Sequence, residues 1–325
     1  MEGKALLFKQ LGGIDAVPVC LDTRDPDEIV RTVRLLAPAF GAINLEDIAQ
    51  PKCFRILEAL RRDCPIPVWH DDQQGTAAVA LAGLENALAV VGKRLDGARI
   101  ALVGAGAANV ATARLLVAAG ARPGSLVVCD SAGTLHPGRR DIAARAESFP
   151  EKWRLCRETN EDRLAGGIAA ALAGADACLA FSRPGPEVIR PDWVRGMAPG
   201  AIVFACANPV PEIWPDAARA AGAAIVATGR SDFPNQVNNA LVFPGIFRGV
   251  LEVAGPHHQR RHGDRRRPRA RRRRPAARRR PHPSRRSRTG RWPPTSPPRP
   301  RRPPTPRGCR GGRLRRPRCA SGRWR

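Results

Sequence analysis

Apolar and polar positions along this chain follow two rhythms, and then lose rhythm altogether. From Gln74 to Ala254 short apolar runs alternate with longer helical ones. ARIALVGAG, SLVVCD, ACLAFS, AIVFACANP and AAIVATG predict strands that are apolar throughout, the pattern of a sheet covered on both faces. Between them TAAVALAGLENALAVV, NVATARLLVAAG, RLAGGIAAALAGA and DAARAAG predict helices, with Gly120 closing the second. Regular alternation of this kind implies parallel β-α units. NNALVFPGIFRGVLEV predicts a closing helical segment.

Residues 1–75 are more mixed. KALLFK, AVPVCL, AINL and IPVWH predict strands. DPDEIVRTVRLLA opens on Asp and Pro and spaces Ile29, Val33 and Leu36 as a helix does; FRILEALRRD predicts a second amphipathic helix. The fold class is therefore α/β, with a small α/β domain over 1–75 and a doubly wound parallel sheet over 76–253. At GPHHQRRHG the patterning stops. Leu314 is the only Leu, Ile or Val of the last stretch, so residues 254–325 are expected to be a disordered tail.

Charge sharpens that boundary. The net charge is +26, but residues 255–325 hold 28 of the 55 basic residues and one of the 29 acids, Asp264. The rest is nearly neutral. Binding of nucleic acid or another polyanion, steeply salt-dependent, is thus an expectation for the tail alone. Trp292 and Trp324 are too sparse for a stacking platform. The nine cysteines form no C-x-x-C pair; Cys129, Cys178 and Cys206 sit in apolar runs, as buried thiols of a cytoplasmic protein do. No apolar run approaches the roughly 18 residues of a membrane span, and the N-terminus lacks a signal-peptide core.

Candidate chemistry gathers at strand ends. In ALVGAGAANVATARLL, Gly104 and Gly106 fit the first two positions of a strand–turn–helix dinucleotide fingerprint, whose glycines let pyrophosphate approach a helix N-terminus. Asn109 holds the third position, a departure expected to loosen helix–strand packing or alter the turn. Asp130 ends the next strand, where a ribose-binding acid belongs. The larger sheet thus reads as Rossmann-like. Asp130 favours NAD; Arg139 and Arg140 downstream would favour NADP if their loop folds back.

Glu46 and Asp47 follow one predicted strand, and Asp71 and Asp72 another. Carboxylates gathered at one sheet edge repel unless a cation neutralises them, and hard oxygen donors suit Mg²⁺ or Mn²⁺. Helix capping by Asp71 or Asp72 fits the same spacing. A lone lysine such as Lys4 is usually solvated, and His70 reads as a structural histidine. Asn208 and Asn238 fit either turn formation or donation to a substrate.

Taken together, MEGKALLFK, DAVPVCLDT, INLEDI, PVWHDDQQGTA, LVGAGAA, CANPVPEI and ATGRSDFPNQVNNALVFPGIFRG resemble the malic enzymes, in family order from residue 1 to about 253. The resemblance implies oxidative decarboxylation of (S)-malate to pyruvate and CO₂ with NAD or NADP. By that resemblance Glu46, Asp47 and Asp72 match the ligands of Mg²⁺ or Mn²⁺, and Lys4 matches the general base, tuned by Asp71. Gly104, Ala105, Gly106, Ala107 and Ala108 match the phosphate loop, while Asn208 and Asn238 match residues that contact substrate or cofactor. Malolactic and oxaloacetate-decarboxylating enzymes share the scaffold.

The family's proton-donating tyrosine lies ahead of the MEGK match, in a segment that also builds subunit contacts. This sequence starts at MEGK and contains no tyrosine. Residues 1–75 are thus expected to be a partial N-terminal domain, with turnover impaired and homo-oligomerisation weakened. A shifted reading frame would account for the switch to Arg/Pro-rich sequence near residue 253.

Overall fold

The computed structural model describes residues 1–263. Helix α1 (Glu2–Gly12) opens the chain, and α2 (Pro26–Leu36) follows an irregular segment. Helix α2 begins where the sequence punctuates it: the Asp25 carboxylate accepts from the N–H groups of Asp27 and Glu28, and Pro26 occupies the first turn. Strand β1 (Ile43–Leu45), helix α3 (Lys52–Asp63) and strand β2 (Val68–His70) complete the first region. The two strands pair in parallel, Ile43 with Val68 and Leu45 with His70. Ile29 and Val33 from α2 and Ile56, Leu57 and Leu60 from α3 close over Leu45 and Val68. Each such side chain, fully buried, contributes about 1.5–3 kcal/mol.

A π-helical turn (Asp71–Gly75) links β2 to α4 (Thr76–Val90). Then come β3 (Ile100–Val103), α5 (Ala107–Ala118), β4 (Leu126–Asp130) and β5 (Gly133–Thr134). Three short helices follow: α6 (Arg140–Ala143), α7 (Pro150–Glu158) and α8 (Ile168–Leu172). The chain continues through β6 (Ala177–Ala180), α9 (Pro191–Arg195), β7 (Ile202–Ala205), α10 (Pro215–Ala220), β8 (Ile225–Thr228) and α11 (Phe243–Gly263). The six strands of the second sheet lie in the order β5-β4-β3-β6-β7-β8. Every pair is parallel except the antiparallel edge pair β4–β5. Strands β3, β6 and β7 are buried at every residue, as covered faces require. Chain order reverses between β3 and β6, which places a crevice at their carboxyl ends.

Two aromatic side chains of α11 bring the far end of the fold back to α1. Phe8 meets Phe243 and Phe247 edge-on, with ring centroids 4.6 and 4.9 Å apart. Residues 1–75 therefore share a core with α11 and do not close on themselves.

Three expectations need correction. KALLFK is helical, because the Gly12–Gly13 pair stops a helix rather than a strand: Gly13 takes φ 63°, and its N–H returns to the Lys9 carbonyl. The bond to Phe8 O comes from the Ile14 N–H, one residue past Gly13, which completes the helix stop. A short apolar run carries too little periodicity to separate the two states. AVPVCL forms no ladder; Val17, Val19 and Leu21 are exposed, and Pro18 lacks a donor. RLAGGIAAALAGA narrows to the five residues of α8 after Gly166 at φ 144°. The expected break at residue 254 falls inside α11, whose backbone continues to Gly263; the rest of the Arg/Pro-rich stretch, with its polyanion-binding expectation, lies outside the described residues. No helix among the described residues is long and apolar enough to cross a membrane.

Candidate active site

Five ionisable groups from three separate stretches meet beyond the ends of β1 and β2. Lys4, on α1, donates from Nζ to Glu46 and, at 2.6 Å, to Asp71. The Phe243 ring lies beside the same nitrogen, 4.9 Å to its centroid. Glu46 also accepts from Asn44 Nδ2 at 2.7 Å. Asp71, wholly buried, accepts from Trp69 Nε1 at 3.3 Å. Asp72 accepts the backbone N–H of Asp47 at 3.0 Å. Asp47 sits at φ 57°, a left-handed backbone that aspartate tolerates better than most residues.

The turn explains how adjacent aspartates serve different neighbours. Within its wide π-helical turn Asp71 faces Lys4 while Asp72 faces Asp47. Gly75 closes the turn, and any side chain there would collide with the Asp71 carboxylate. Neither aspartate acts as a helix cap for α4, which has no side-chain cap.

Electrostatics make this an uncomfortable group. Burial raises the Glu46 carboxyl above its usual range, and Asp72 adds to that, against Lys4 and Asn44. Burial also raises Asp72, with Asp47 and Asp71 contributing, and raises Asp71 against the pull of Lys4. Lys4 is lowered by burial, but its hydrogen bonds to Asp71 and Glu46 outweigh this and leave it raised, an ammonium. His70 is fully buried with both ring nitrogens unpaired; burial, then Lys4, lowers it to about 4, so it is neutral. Glu46, Asp47 and Asp72 each offer an oxygen within 4.8 Å of the others. Three hard oxygens disfavoured as neighbouring charges form a donor set suited to Mg²⁺ or Mn²⁺. A cavity of about 760 Å³ reaches Lys4, Glu46 and Asp47 from the α1–α2 side, and its outer walls are apolar, including Val17, Val19 and Val33.

The second set of sequence candidates lies along the carboxyl ends of the large sheet. Gly104 takes φ 103°, and a Cβ there would lie 2.6 Å from the Phe181 carbonyl oxygen. Ahead of Gly106 the space is open, and the N-terminus of α5 at Ala107 and Ala108 carries no side-chain cap. Open space before unpaired N–H groups fits a pyrophosphate. Asn109 does not loosen this turn. It is buried and donates to the Val103 and Gly104 carbonyls, both at 2.9 Å, so an amide braces what a third glycine would only admit. The turn Asp71–Gly75 packs directly on α5, which makes the acidic group and the glycine turn neighbours.

The loop after β5 folds back on Asp130. Arg139 donates to both Asp130 oxygens at 3.0 Å, and Lys152 donates at 3.2 Å. Burial would raise Asp130, but Arg139 and then the Ala132 N–H leave it lowered and ionised. Arg139 also pairs with Asp141 through Nε and Nη2 and faces the Gly133 and Thr134 carbonyls, so its donors are taken. Arg140 is exposed. Asn208 is exposed at the end of β7, against Gly229. Asn238 caps Ala240 N–H and donates to Gly229 O, each at 2.9 Å, the turn-forming role. Sequence reasoning missed Asn44 and the Trp69 indole as partners. Each lies in a strand two residues before the acid it serves, and that spacing was the available signal.

Two stretches of the chain match family models, described as malic enzyme, N-terminal domain, over residues 23–61 and malic enzyme, NAD binding domain, over residues 73–258. The bifunctional malic/malolactic enzyme of Bacillus subtilis is 49% identical over 257 residues, 79% of this chain and 60% of that protein. The NAD-dependent malic enzyme of Geobacillus stearothermophilus is 48% identical over 78% of this chain and 50% of its own length; the NADP-dependent enzyme of Halomonas elongata, also 48%, matches over 78% and 57%. Among solved structures, malic enzyme from Entamoeba histolytica superposes with a TM-score of 0.75 at 53% identity, covering 78% of this chain and 53% of that one. The Pyrococcus horikoshii enzyme gives 0.74, also at 53% identity, with coverages of 78% and 59%. The chain thus spans about half to three fifths of the length of these relatives.

Proposed function

The chain belongs to the malic enzyme family, and from that premise we propose that it carries out divalent-metal-dependent oxidative decarboxylation of (S)-malate to pyruvate and CO₂, reducing NAD⁺. The observation that carries this reading is the meeting of Lys4, Glu46, Asp47, Asp71 and Asp72 on a turn packed against α5. Proton acceptor, cation donors and dinucleotide turn thereby adjoin one another.

When bound, the cation supplies Lewis-acid polarisation of the substrate oxygens and the nicotinamide accepts a hydride. Glu46, Asp47 and Asp72 would hold the cation. Lys4 Nζ takes the hydroxyl proton, a role that requires it to be neutral when substrate arrives. Asp71 fixes where that nitrogen points, and Trp69 fixes Asp71. Phe243 covers the nitrogen from one side. Gly104 through Ala108 would receive the pyrophosphate at the head of α5, and Asn208 would meet the nicotinamide end or the substrate. Asn238 contributes through its remaining amide hydrogen. No tyrosine occurs in the 325 residues, so a phenol of this sequence does not return the proton.

Asp130 favours NAD⁺ as the cofactor. An ionised carboxylate at the end of β4 accepts from a free ribose 2′-hydroxyl and repels a 2′-phosphate. Arg139, the cation that would reverse this, has its donors committed to Asp130, Asp141 and two carbonyls. NAD⁺ is therefore the preferred oxidant. The relatives do not separate the two, since NAD- and NADP-dependent enzymes match at the same 48%.

Purified protein with malate, Mn²⁺ and each dinucleotide tests the reading. NADH and pyruvate should form together and stop on chelation; NADH no higher than in the chelated control overturns it. The bifunctional name of the Bacillus subtilis relative favours one second reading, malolactic chemistry. Lactate in place of pyruvate, with no net NADH, would identify it.

A further inference from the structure

Glu212 lies between β7 and α10, wholly buried at 0% exposure. Among the described residues its side-chain partners are all uncharged. Oε1 accepts the Ser182 backbone N–H at 2.8 Å and the Ser182 hydroxyl at 2.9 Å, and Oε2 accepts the Ala207 N–H at 3.0 Å. A buried carboxylate is costly unless donors surround it, and an apolar side chain of similar size would leave the Ser182 and Ala207 N–H groups without an acceptor. Packing alone therefore does not account for an acid here. What it does is join two loops that no ladder joins at this level: Ser182 follows β6, and Ala207 follows β7.

The β6 loop borders the dinucleotide turn, and the β7 loop carries Asn208. The Phe181 carbonyl, next to Ser182, presses on Gly104 so closely that a Cβ there would lie 2.6 Å away. Ala207 precedes Asn208, and Gly229 of the β8 loop abuts both the Cys206 carbonyl and the Asn208 amide. The backbone of the same segment adds two further ties, Ile189 N–H to Glu212 O at 3.0 Å and Gly185 N–H to Val210 O at 3.3 Å.

We propose that Glu212 is a positioning residue for the cofactor: its two oxygens lock the β6 and β7 loops into one wall, and that wall sets the glycine turn and Asn208 at the spacing a dinucleotide needs. This rests on the reading of that sheet edge as the NAD(P)⁺ site. The carboxylate touches neither cofactor nor substrate. It acts through Ser182 and Ala207, whose amides it holds in place.

Glu212→Gln tests the wall with little change in volume, because an amide offers only one acceptor oxygen and turns an N–H₂ toward one of the two loops. Ser182→Ala removes a single hydroxyl donor and leaves the backbone bonds. NAD⁺ and Mn²⁺ affinities are titrated separately, with thermal midpoints, on each variant and the unaltered protein. Glu212→Gln should weaken NAD⁺ binding about tenfold and Ser182→Ala about threefold, while Mn²⁺ affinity, set at the ends of β1 and β2, stays unchanged. NAD⁺ affinity untouched in both variants overturns the proposal. So does a loss of NAD⁺ affinity matched by an equal loss for Mn²⁺, the mark of general loosening. If Glu212→Gln does not fold, Ser182→Ala alone decides by the same two readings. Unaltered protein that binds Mn²⁺ but no dinucleotide overturns the cofactor reading and this inference together.

Discussion

The two sheets build their halves of the site in opposite ways. Along the six-stranded sheet these candidate groups sit at or just past the end of their own strands: Gly104 after β3, Asp130 at the end of β4, Asn208 after β7. The strands carry these groups to one edge because parallel neighbours share a direction. At the two-stranded sheet the chemistry is assembled from a distance. Lys4 comes from α1, Glu46 from the β1 end and Asp71 from the turn after β2, and α1 itself is held by Phe243 and Phe247 near the far end of the described chain. The first half should therefore yield to local changes one residue at a time. The second should fail as a unit when a remote support is removed.

The largest test of that contrast is Lys4→Ala. Turnover should fall by roughly 10²–10⁴-fold, the usual contribution of a general base, while NAD⁺ affinity stays as it was. Steady-state kinetics beside a dinucleotide titration checks this; a parallel fall in NAD⁺ affinity would erase the distinction between the halves.

Phe243→Ala reaches the acidic group without touching an acid. Phe243 is 0% exposed and packs on Phe8 and beside Lys4. Its removal should cost about 3–5 kcal/mol in urea denaturation and lower turnover beyond what unfolding explains. Full activity in the folded fraction would mean that α11 does not position Lys4.

Changes at Asp130 should stay local and smaller. Asp130→Ala should reduce the preference for NAD⁺ over NADP⁺ about tenfold, read as the ratio of kcat/KM values, with Mn²⁺ affinity unaltered. The same carboxyl gives a pH signature. Its folded pKa lies below the ordinary 3.8, so its stabilising bonds to Arg139 and Lys152 are complete above that value and vanish as pH falls through the folded pKa. Arg139→Ala should remove about 1–2 kcal/mol at neutral pH and less once pH has fallen through the folded pKa of Asp130, where its bonds to Asp141 and to the Gly133 and Thr134 carbonyls are what remain. A loss independent of pH would assign Arg139 to packing instead.

Much of this was legible in the linear pattern. Apolar runs marked β3, β4, β6, β7 and β8, and the glycines after ARIALV marked the turn that receives a helix. The same reading failed at KALLFK and AVPVCL, where six-residue runs lacked the length to distinguish a strand from a helix or from an unpaired segment. It also misjudged Asn109. Composition flags a missing glycine, but only packing shows an amide bonding the Val103 and Gly104 carbonyls.

By itself the amino-acid order determined five strands of the larger sheet, β3, β4, β6, β7 and β8, that their ends carry acids and glycines, and that the basic excess is confined to one stretch. These are local facts, set by side-chain period and backbone freedom within a few residues. The tertiary structure alone decided that Lys4 lies against Glu46 and Asp71, that Arg139 is spent on Asp130, and that Glu212 ties two loops. Such pairings join groups tens of residues apart. A carboxylate's partner depends on which surfaces the core brings together, and spacing along the chain does not encode that distance.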